Sequence, residues 1–580
     1  MSSFRVWAPH AQRVHVVVDG REHAMHADGR AGWWSADVAG AAAGCDYAYR
    51  LDGGPPRPDP RSAWQPQGVH GPSRLVDHAA FAWSDQTWHG VPLPGSVVYE
   101  LHIGTFTDEG TFDAAIARLD HLVELGVDVV ELMPVNAFDG DRGWGYDGVL
   151  WYAVHDPYGG PDGLKRFVDA AHGRGIGVLL DVVYNHLGPS GNYLSEFGPY
   201  FTDTHSTPWG PAVNLDAPES DEVRRHIIDN ALMWFVDYHV DGLRLDAVHE
   251  LKDDRATHVL EELSEEVRRT AAYLRKPLFL VAESDRNDPR NVTPRHAGGW
   301  GLDAQWSDDF HHALHALLTG ERQGYYCDFG SLQTLAKAFT RVFVHDGTYS
   351  TFRRRHHGRP VDPHLLSGAA FVGYLQNHDQ IGNLAGGARL AAMVPPDLLK
   401  IGAALVLTGP FTPMLFMGEE WGASTPWQFF ASFPDRGLAE AVRTGRCEEF
   451  AGHGWDPARV PDPMDGATFA RSTLDWAEVE KEAHADLLAW HRDLIALRRR
   501  HPELTDGRLD AVRCTWDDGD RWFVLHRGGV AVVCNLAEEH RRVPAGGRPG
   551  EVLLASASEV TCSGTAVNLP ARSVAVVLID

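Results

Sequence analysis

Cysteine is scarce in this chain of 580 residues, and what little there is forms no pattern. Cys45, Cys327, Cys447, Cys514, Cys534 and Cys562 lie far apart with no C-x-x-C pair. That excludes a disulfide framework or a cysteine-ligated zinc module and points to reduced thiols. Long apolar runs are missing as well, since no stretch approaches the ~18 residues of a membrane span. Positive charge is in short supply: 52 Lys+Arg stand against 79 Asp+Glu, a formal net charge of −27. Such a surface repels phosphate backbones and anionic lipid, so neither nucleic acid nor membrane is expected as a partner. The first ten residues, Met1 to His10, show no basic segment leading into an apolar one, so secretion is not signalled and a cytoplasmic location is expected. Low-complexity runs and long repeats are absent too. What is present is an ordinary globular balance, 44% hydrophobic and 23% charged, which argues against wholesale disorder. The length allows three to four domains at about 150 residues each. Aromatic residues are plentiful, with 19 Trp, 24 Phe and 15 Tyr available for core and for stacking platforms.

The chain reads in three parts. The first ~50 residues are β-like. Val14, Val16 and Val18 alternate onto one face, Asp19-Gly20 is a hairpin turn, and two further short strands follow near 33–38 and 46–51. Six prolines between 53 and 73 cannot continue a sheet or helix and read as a long connection. From about residue 96, short apolar runs alternate with amphipathic helices. The runs are 97–103, 127–132, 177–183, 240–246, 277–283, 304–310, 371–377 and 413–417. Ser220 is expected to cap a helix in which Val223, Ile227, Ala231, Trp234 and Tyr238 recur at helical spacing, and Leu164 to Ala171 form another stripe that Gly173 and Gly175 stop. Eight buried strands with helices between them suit a (β/α)8 barrel better than a doubly wound sheet. Residues 311–370 need extra structure, a helix over 485–500 closes the barrel, and β pattern returns from about 508. The expected domains are 1–90, a β-sandwich; 91–505, the barrel; and 506–580, a second β-domain. Trp33 and Trp34 read as sandwich core at least as well as a sugar platform.

Barrel chemistry gathers at the carboxyl ends of the strands, and four strands end in polar clusters: Asp181-Val-Val-Tyr-Asn185-His186, Gly242-Leu-Arg244-Leu-Asp246-Ala-Val-His249, Ala282-Glu283-Ser284 and Gln376-Asn377-His378-Asp379-Gln380. One carboxylate at a strand end is usually a helix cap or a loop ion pair. Three acids and two histidines converging on one mouth suit glycosidic cleavage, which needs one carboxylate to attack carbon and one carboxylic acid to protonate the leaving oxygen. Arg244 lies two residues before Asp246, so both side chains face one way and the guanidinium favours an ionised Asp246, as a nucleophile requires. Glu283 follows an apolar run, and burial there raises a carboxyl toward general-acid duty. Other motifs carry less. Gly173-x-Gly175-x-Gly177 precedes a strand rather than following one, so it stops a helix and binds no dinucleotide. His311 and His315 have zinc spacing but lack the glutamate of H-E-x-x-H, since His312 stands there. The run Arg353-Arg354-Arg355-His356-His357 reads as a solvated loop or a rim near substrate.

At the four clusters the sequence resembles the α-amylase family of retaining glycoside hydrolases and transglycosylases, with the motifs in order across some 200 residues and a β-domain on each side. The resemblance implies an amino-terminal sandwich like a carbohydrate-binding module. It also implies Asp246 as nucleophile, Glu283 as proton donor and Asp379 as the third acid. His186, Arg244 and His378 match residues around the cleaved sugar. Tyr146 and Asp147, in Gly143-Trp-Gly-Tyr-Asp-Gly148, match a sugar-stacking tyrosine and its supporting acid. Five stretches narrow the resemblance to members that cut the α-1,4 bond beside a terminal trehalose: Glu100-Leu-His-Ile-Gly-Thr-Phe-Thr107, Tyr158-Gly-Gly-Pro-Asp-Gly-Leu-Lys-Arg166, Asp308-Asp-Phe-His-His312, Asn377-His-Asp-Gln-Ile-Gly-Asn383 and Met417-Gly-Glu-Glu-Trp-Gly422. The implied substrates are maltooligosyl trehalose and related α-glucans. His249 joins the expected substrate-binding residues. Asp308, Asp309, His311 and His312, expected on a loop after the sixth strand, and Gln380 and Asn383 are the expected readers of the trehalose unit. Glycogen branching enzymes share the layout but usually carry an acid after the proton donor and Ser-His-Asp-Glu at the fourth cluster, where this chain has Ser284 and Asn-His-Asp-Gln. A branching or debranching enzyme is the nearest alternative, and a noncatalytic glucan-binding protein is the alternative from another class. No cofactor is expected. Calcium is common in the family, but no further acidic cluster in the sequence demands a metal. Exhaustive chelation is therefore expected to leave the hydrolytic rate unchanged; a rate that collapsed with EDTA and returned with calcium would contradict this.

Overall fold

The computed structural model describes residues 2–452 and 460–580. Two small antiparallel sheets open the chain. One orders Ser2–Trp7, Trp33–Val38 and His26–Ala27, and the other Arg21–Ala24, Val14–Val18, Asp46–Leu51 and Ser73–Arg74. Asp19 and Gly20 both take positive φ, 46° and 78°, the backbone a tight two-residue hairpin requires. The valine face of 14–18 is buried, Phe4 packs on Tyr47 at 5.0 Å, and Trp33 is core while Trp34 is half-buried with its indole N–H donating to the Ala8 carbonyl.

Eight parallel strands then close a barrel: β1 (Val98–Leu101), β2 (Val129–Leu132), β3 (Gly177–Val182), β4 (Gly242–Leu245), β5 (Phe279–Ala282), β6 (Ala304–Trp306), β7 (Phe371–Tyr374) and β8 (Thr412–Phe416), with β8 paired to β1. Each expected apolar run coincides with one of these strands, β8 starting one residue before its run, and the runs are trimmed where their last residues turn out of the ladder toward the mouth. Seven helices matter below: α1 (Gly160–His172), α2 (Ser220–Asp237), α3 (Val259–Leu274), α4 (Asp308–Thr319), α5 (Leu332–Arg341), α6 (Pro396–Thr408) and α7 (Glu482–Arg500). Two details differ from the sequence expectation. Ser220 is the first residue of α2 rather than its cap; Glu219 takes the cap position at φ 65° and its side chain makes no capping bond to the helix. The sixth strand stops at Trp306 instead of running to 310, because Ser307-Asp308-Asp309 starts a helix with acids in its first turn. The expected loop carrying 308–312 is thus the amino-terminal part of α4. The 311–370 gap holds the rest of α4, α5 and a small hairpin, Tyr349–Ser350 with Arg355–His356. In that hairpin Arg354, Arg355 and His356 are exposed, whereas His357 is buried and half-buried Arg353 pairs with Asp285 at 3.3 Å.

A carboxyl-terminal β-domain packs on the barrel. Its main sheet orders Val512–Asp517, Trp522–Arg527, Val530–Asn535, Ser573–Ile579 and Pro549–Ala555, and Phe523 stacks on Phe339 of α5 at 6.0 Å. Buried Arg498 of α7 donates to the carbonyls of Leu407, Gly409, Leu504 and Phe411, tying the closing helix to the end of α6 and the start of β8.

The segment between sandwich and barrel is fastened across the barrel end opposite the mouth. His172, at the end of α1, lies between Asp85 and Asp241, 2.9 Å from each. Trp88 stacks on the His172 ring at 4.6 Å and donates to Asp241 at 2.8 Å, while Trp83 stacks on His239 at 3.8 Å. Burial disfavours the His172 imidazolium, but hydrogen bonds to Asp241 and Asp85 outweigh it and raise its pKa. Burial likewise opposes both carboxylates, and bonding to His172 outweighs it, lowering theirs. His172 therefore adds stability that is full at acid pH and fades as pH rises through its raised folded value. The aspartates add stability that is lost only as pH falls through their lowered values. Breaking the pair strands a buried charge, so Asp241→Ala should cost about 3–5 kcal/mol and lower the thermal midpoint, with the loss largest between those two limits. An unchanged midpoint across pH would show that the fastening contributes nothing.

Candidate active site

Strand alternation sends Arg244 into the barrel, where it is fully buried. Its Nη1 donates to both oxygens of Asp181, at the end of β3, at 3.0 and 2.8 Å, and to Asp246 Oδ1 at 2.8 Å; its Nη2 lies 3.8 Å from Glu283 Oε2. The guanidinium carbon sits 4.2 Å over the Trp306 ring of β6. Asn185 Nδ2 donates to the other Asp246 oxygen at 2.8 Å and to the Asp246 carbonyl at 2.9 Å. Both carboxylate oxygens of Asp246 are thus held by donors in a fixed orientation.

Glu283 is held differently. Ala247, immediately after Asp246, adopts φ 39°, ψ 50°, a left-handed backbone that costs a non-glycine residue about 1–3 kcal/mol. That conformation aims its N–H at Glu283 Oε2, 2.7 Å away. Burial pushes the Glu283 carboxyl well above the usual range. Arg244 opposes the shift, and the charges of Asp246, Asp308 and Asp379 reinforce it. Two carboxyls on neighbouring strand ends therefore differ in kind: one meets only donors, and the other keeps its proton.

A second buried unit stands behind the third acid. His378 contacts the Glu100 carboxyl of β1 through Nδ1 and donates its backbone N–H to the same group at 3.1 Å; its Nε2 lies 2.8 Å from the Tyr146 hydroxyl and 3.5 Å from Asp379. Burial works against an imidazolium there, but the Glu100 and Asp379 charges push the His378 pKa up to about 9. Tyr146 stacks on that ring at 5.1 Å and donates to Asp181 at 2.6 Å. Asp379 itself is 43% exposed and open to the mouth. It rides the short helix His378–Gly382, whose first turn the Asn377 side chain caps at Gln380 N. The helix can lie there only because residue 382 is glycine: a Cβ would fall 2.0 Å from the Trp144 ring.

The remaining expected residues divide. Asp147 is half-buried, and burial pushes its carboxyl up to about 6. His186 Nε2 donates to the Tyr146 carbonyl, 3.1 Å away. His249 lies 3.6 Å from Asp285. Asp308, pushed up to about 6 by burial, meets the Tyr374 hydroxyl and Gln380 Nε2, and its charge acts on Glu283. These stand with the acids. Asp309 does not: its Oδ2 accepts from Asn287, Val344 N and His345 N, so its work is holding the segment after α5. His311 is taken up by the Leu375 carbonyl and the Tyr326 hydroxyl. His312 is wedged among Tyr325, Tyr326 and Phe329, and Asn383 accepts from Arg446. The places of Asp309, His311 and His312 on a helix beginning at 308 turn them inward, which an assumed loop concealed.

Sequence reasoning missed Glu100 and Trp209. Glu100 reads as one polar residue in an apolar run, and that interruption was the available signal. Trp209 is 51% exposed at the tip of a hairpin, Phe201–Thr207 with Gly210–Val213, and stacks on His186 at 4.2 Å. Nothing in its local sequence announces that contact. One metal-like cluster was also missed: among the described residues, ligand atoms of His205, Asp216 and Asp254 lie within 4.8 Å of one another. Asp216 is already engaged by His205 at 2.8 Å and by Asp254 N at 2.9 Å, and the Asp254 side chain is 88% exposed.

Residues 78–206 match the alpha amylase catalytic domain, 2–62 carbohydrate-binding module 48 (isoamylase N-terminal domain) and 507–576 a domain of unknown function. The chain is 55% identical over its whole length to a malto-oligosyltrehalose trehalohydrolase of Arthrobacter ramosus, covering 99% of that protein. It is 53% identical, over 99% of itself and 97% of the relative, to one of Rhizobium sp. strain M-11. A crystal structure of a Salmonella typhimurium protein described as an alpha amylase superposes with a TM-score of 0.91 at 40% identity, covering 100% of this chain and 97% of that one.

If Glu283 is the acid, activity should fall as pH rises through its raised pKa, because the proton it donates is then lost. Asp308→Asn removes one of the charges that raise it, so the alkaline limb of the pH–rate profile should move to lower pH. Glu283→Gln should cost about 10²–10⁴-fold in rate with the fold intact. An alkaline limb unmoved in Asp308→Asn, or near-normal turnover by folded Glu283→Gln, would remove Glu283 from this role.

Proposed function

The chain belongs to the malto-oligosyltrehalose trehalohydrolase family, within the α-amylase group, and on that premise we propose that it hydrolyses the α-1,4 bond next to the terminal trehalose of a maltooligosyl trehalose. The products are trehalose and a shortened maltooligosaccharide. The observation that carries the reading is the single guanidinium of Arg244, 2.8 Å from Asp246 and 3.8 Å from Glu283. It gathers one donor-bound carboxylate and one protonated carboxyl around the same point.

In the reaction, Asp246 attacks the anomeric carbon while Glu283 gives its proton to the departing oxygen. The resulting glycosyl ester on Asp246 is opened by water, which Glu283, now ionised, deprotonates. The anomeric configuration is retained, the outcome for enzymes whose two carboxyls lie about 5–5.5 Å apart. Asp379 holds hydroxyls of the sugar being cut, and its negative charge favours the cationic transition state, while the buried His378, engaged by Glu100 and Tyr146, stands behind Asp379 and positions it. Tyr146, Asp147 and His186 line the same position. All of these steps use side chains of this chain alone. Six free cysteines suit the reducing compartment in which we place the enzyme, the cytoplasm. Among the described residues no helix is long and apolar enough to cross a membrane.

The substrate is tested by competition. Offered equal amounts of maltotriosyl trehalose and maltopentaose, the enzyme should release trehalose as its main product, with kcat/KM favouring the capped substrate at least roughly tenfold, about 1.4 kcal/mol of differential transition-state binding. Equal rates would make it a general maltooligosaccharide hydrolase. Longer branched products without net hydrolysis would make it a branching enzyme.

A further inference from the structure

The proposed reaction fixes the side of the mouth that the departing sugar occupies. Glu283 ends β5 and must reach the leaving oxygen, so the leaving unit lies over the loops that follow β4 and β5. Those loops bound a cleft of about 600 Å³, lined among others by His249, Lys252, Arg286, Arg290, Arg295 and Trp300.

Two features separate this cleft from ordinary loop surface. His249, three residues past Asp246, stands at its inner end. The ring turns Nε2 toward Asp285 at 3.6 Å, and Nδ1 is buried with no partner among the described residues. A buried ring nitrogen left unpaired is costly, and a ligand hydroxyl repairs it. Most other cations of the cleft are already engaged. Lys252 pairs with Glu250 at 3.1 Å and Arg290 with Asp288 at 2.6 Å, while Arg295 bonds Glu261 at 3.3 Å and also meets Glu265. Arg286 is different. It lies three residues past Glu283, is exposed, lines the same cleft and is close enough for its charge to act on His249. Its guanidinium has no hydrogen-bond or ion-pair partner among the described residues, so a full fork of donors is free in the same cleft as the unpaired His249 nitrogen.

We propose that the second glucose of the departing trehalose enters this cleft and is read there by Arg286 and His249, which makes Arg286 a specificity-determining residue; this rests on the trehalose-releasing reading above. The two disaccharides differ in that ring. In trehalose it is joined through its own anomeric carbon and in maltose through its fourth oxygen, so they present different edges of hydroxyls to one fixed fork. The planar arrangement of Arg286 donors can satisfy adjacent hydroxyls of one edge and misses the other. Asp309, His311 and Asn383 are occupied within the protein, which leaves the reading of the capped end to groups that are free.

The test compares kcat/KM for maltotriosyl trehalose and maltopentaose in the wild-type enzyme, Arg286→Ala and Arg286→Lys, together with inhibition by free trehalose. Arg286 is exposed and unpaired, so both variants should fold with a wild-type thermal midpoint. The expected result is a capped-to-uncapped ratio at least tenfold lower in Arg286→Ala, only partly restored in Arg286→Lys, with trehalose inhibition weakened in parallel. A wild-type preference for the capped substrate that Arg286→Ala leaves unchanged overturns the assignment of this cleft alone. A wild-type ratio of one overturns the trehalose-releasing reading and this inference with it.

Discussion

A guanidinium sealed inside a barrel is tolerable only when carboxylates surround it, because an unpaired buried charge is prohibitively costly. Arg244 imposes that condition on the mouth of this molecule. It draws in Asp181 from β3, Asp246 from the end of β4 and, at longer range, Glu283 from β5. The second buried cation, His378, depends on Glu100 in the same way. Tyr146 links the two units by donating to Asp181 while it touches His378. Glu131, opposite Glu100 in the β1–β2 register, is buried with neither oxygen partnered among the described residues, and burial pushes its pKa far up. Burial thus favours its neutral form, which leaves the balance of charge to the two cations and the acids they hold.

Electrostatics of this kind works only on a rigid frame. The Asp85–His172–Asp241 fastening and the stacked Trp83 and Trp88 fix the sandwich-to-barrel segment across the end opposite the mouth, far from the chemistry. On the other flank, Arg498 binds α7 to the start of β8, whose partner β1 carries Glu100. The left-handed backbone of Ala247 at the mouth sits where precision is needed, since its N–H orients Glu283.

The barrel was legible because its eight strands are short apolar runs buried on both faces, and each run stands out against amphipathic helices. The four polar strand ends were legible for the same reason: a charged residue ending an apolar run has few structural excuses. Legibility failed where side-chain direction depends on secondary structure that starts one residue earlier or later. Asp308 and Asp309 are neighbours in sequence, yet α4 turns the first toward Glu283 and the second onto the backbone at 344–345. Trp209 meets His186 from a hairpin 23 residues away, and Arg286 gains its interest only from having no partner among the described residues, a property that sequence cannot express.

The central claim is that Asp246 carries the glycosyl group while Glu283 carries the proton. A 5-fluoro-α-glucosyl fluoride slows the second step of such a mechanism and accumulates its intermediate. Mass spectrometry of the digested enzyme should then find one glycosyl ester, on the peptide containing Asp246, with the first sugar product released as the α-anomer. A label on another carboxylate, or a β-anomer formed first, would contradict the account.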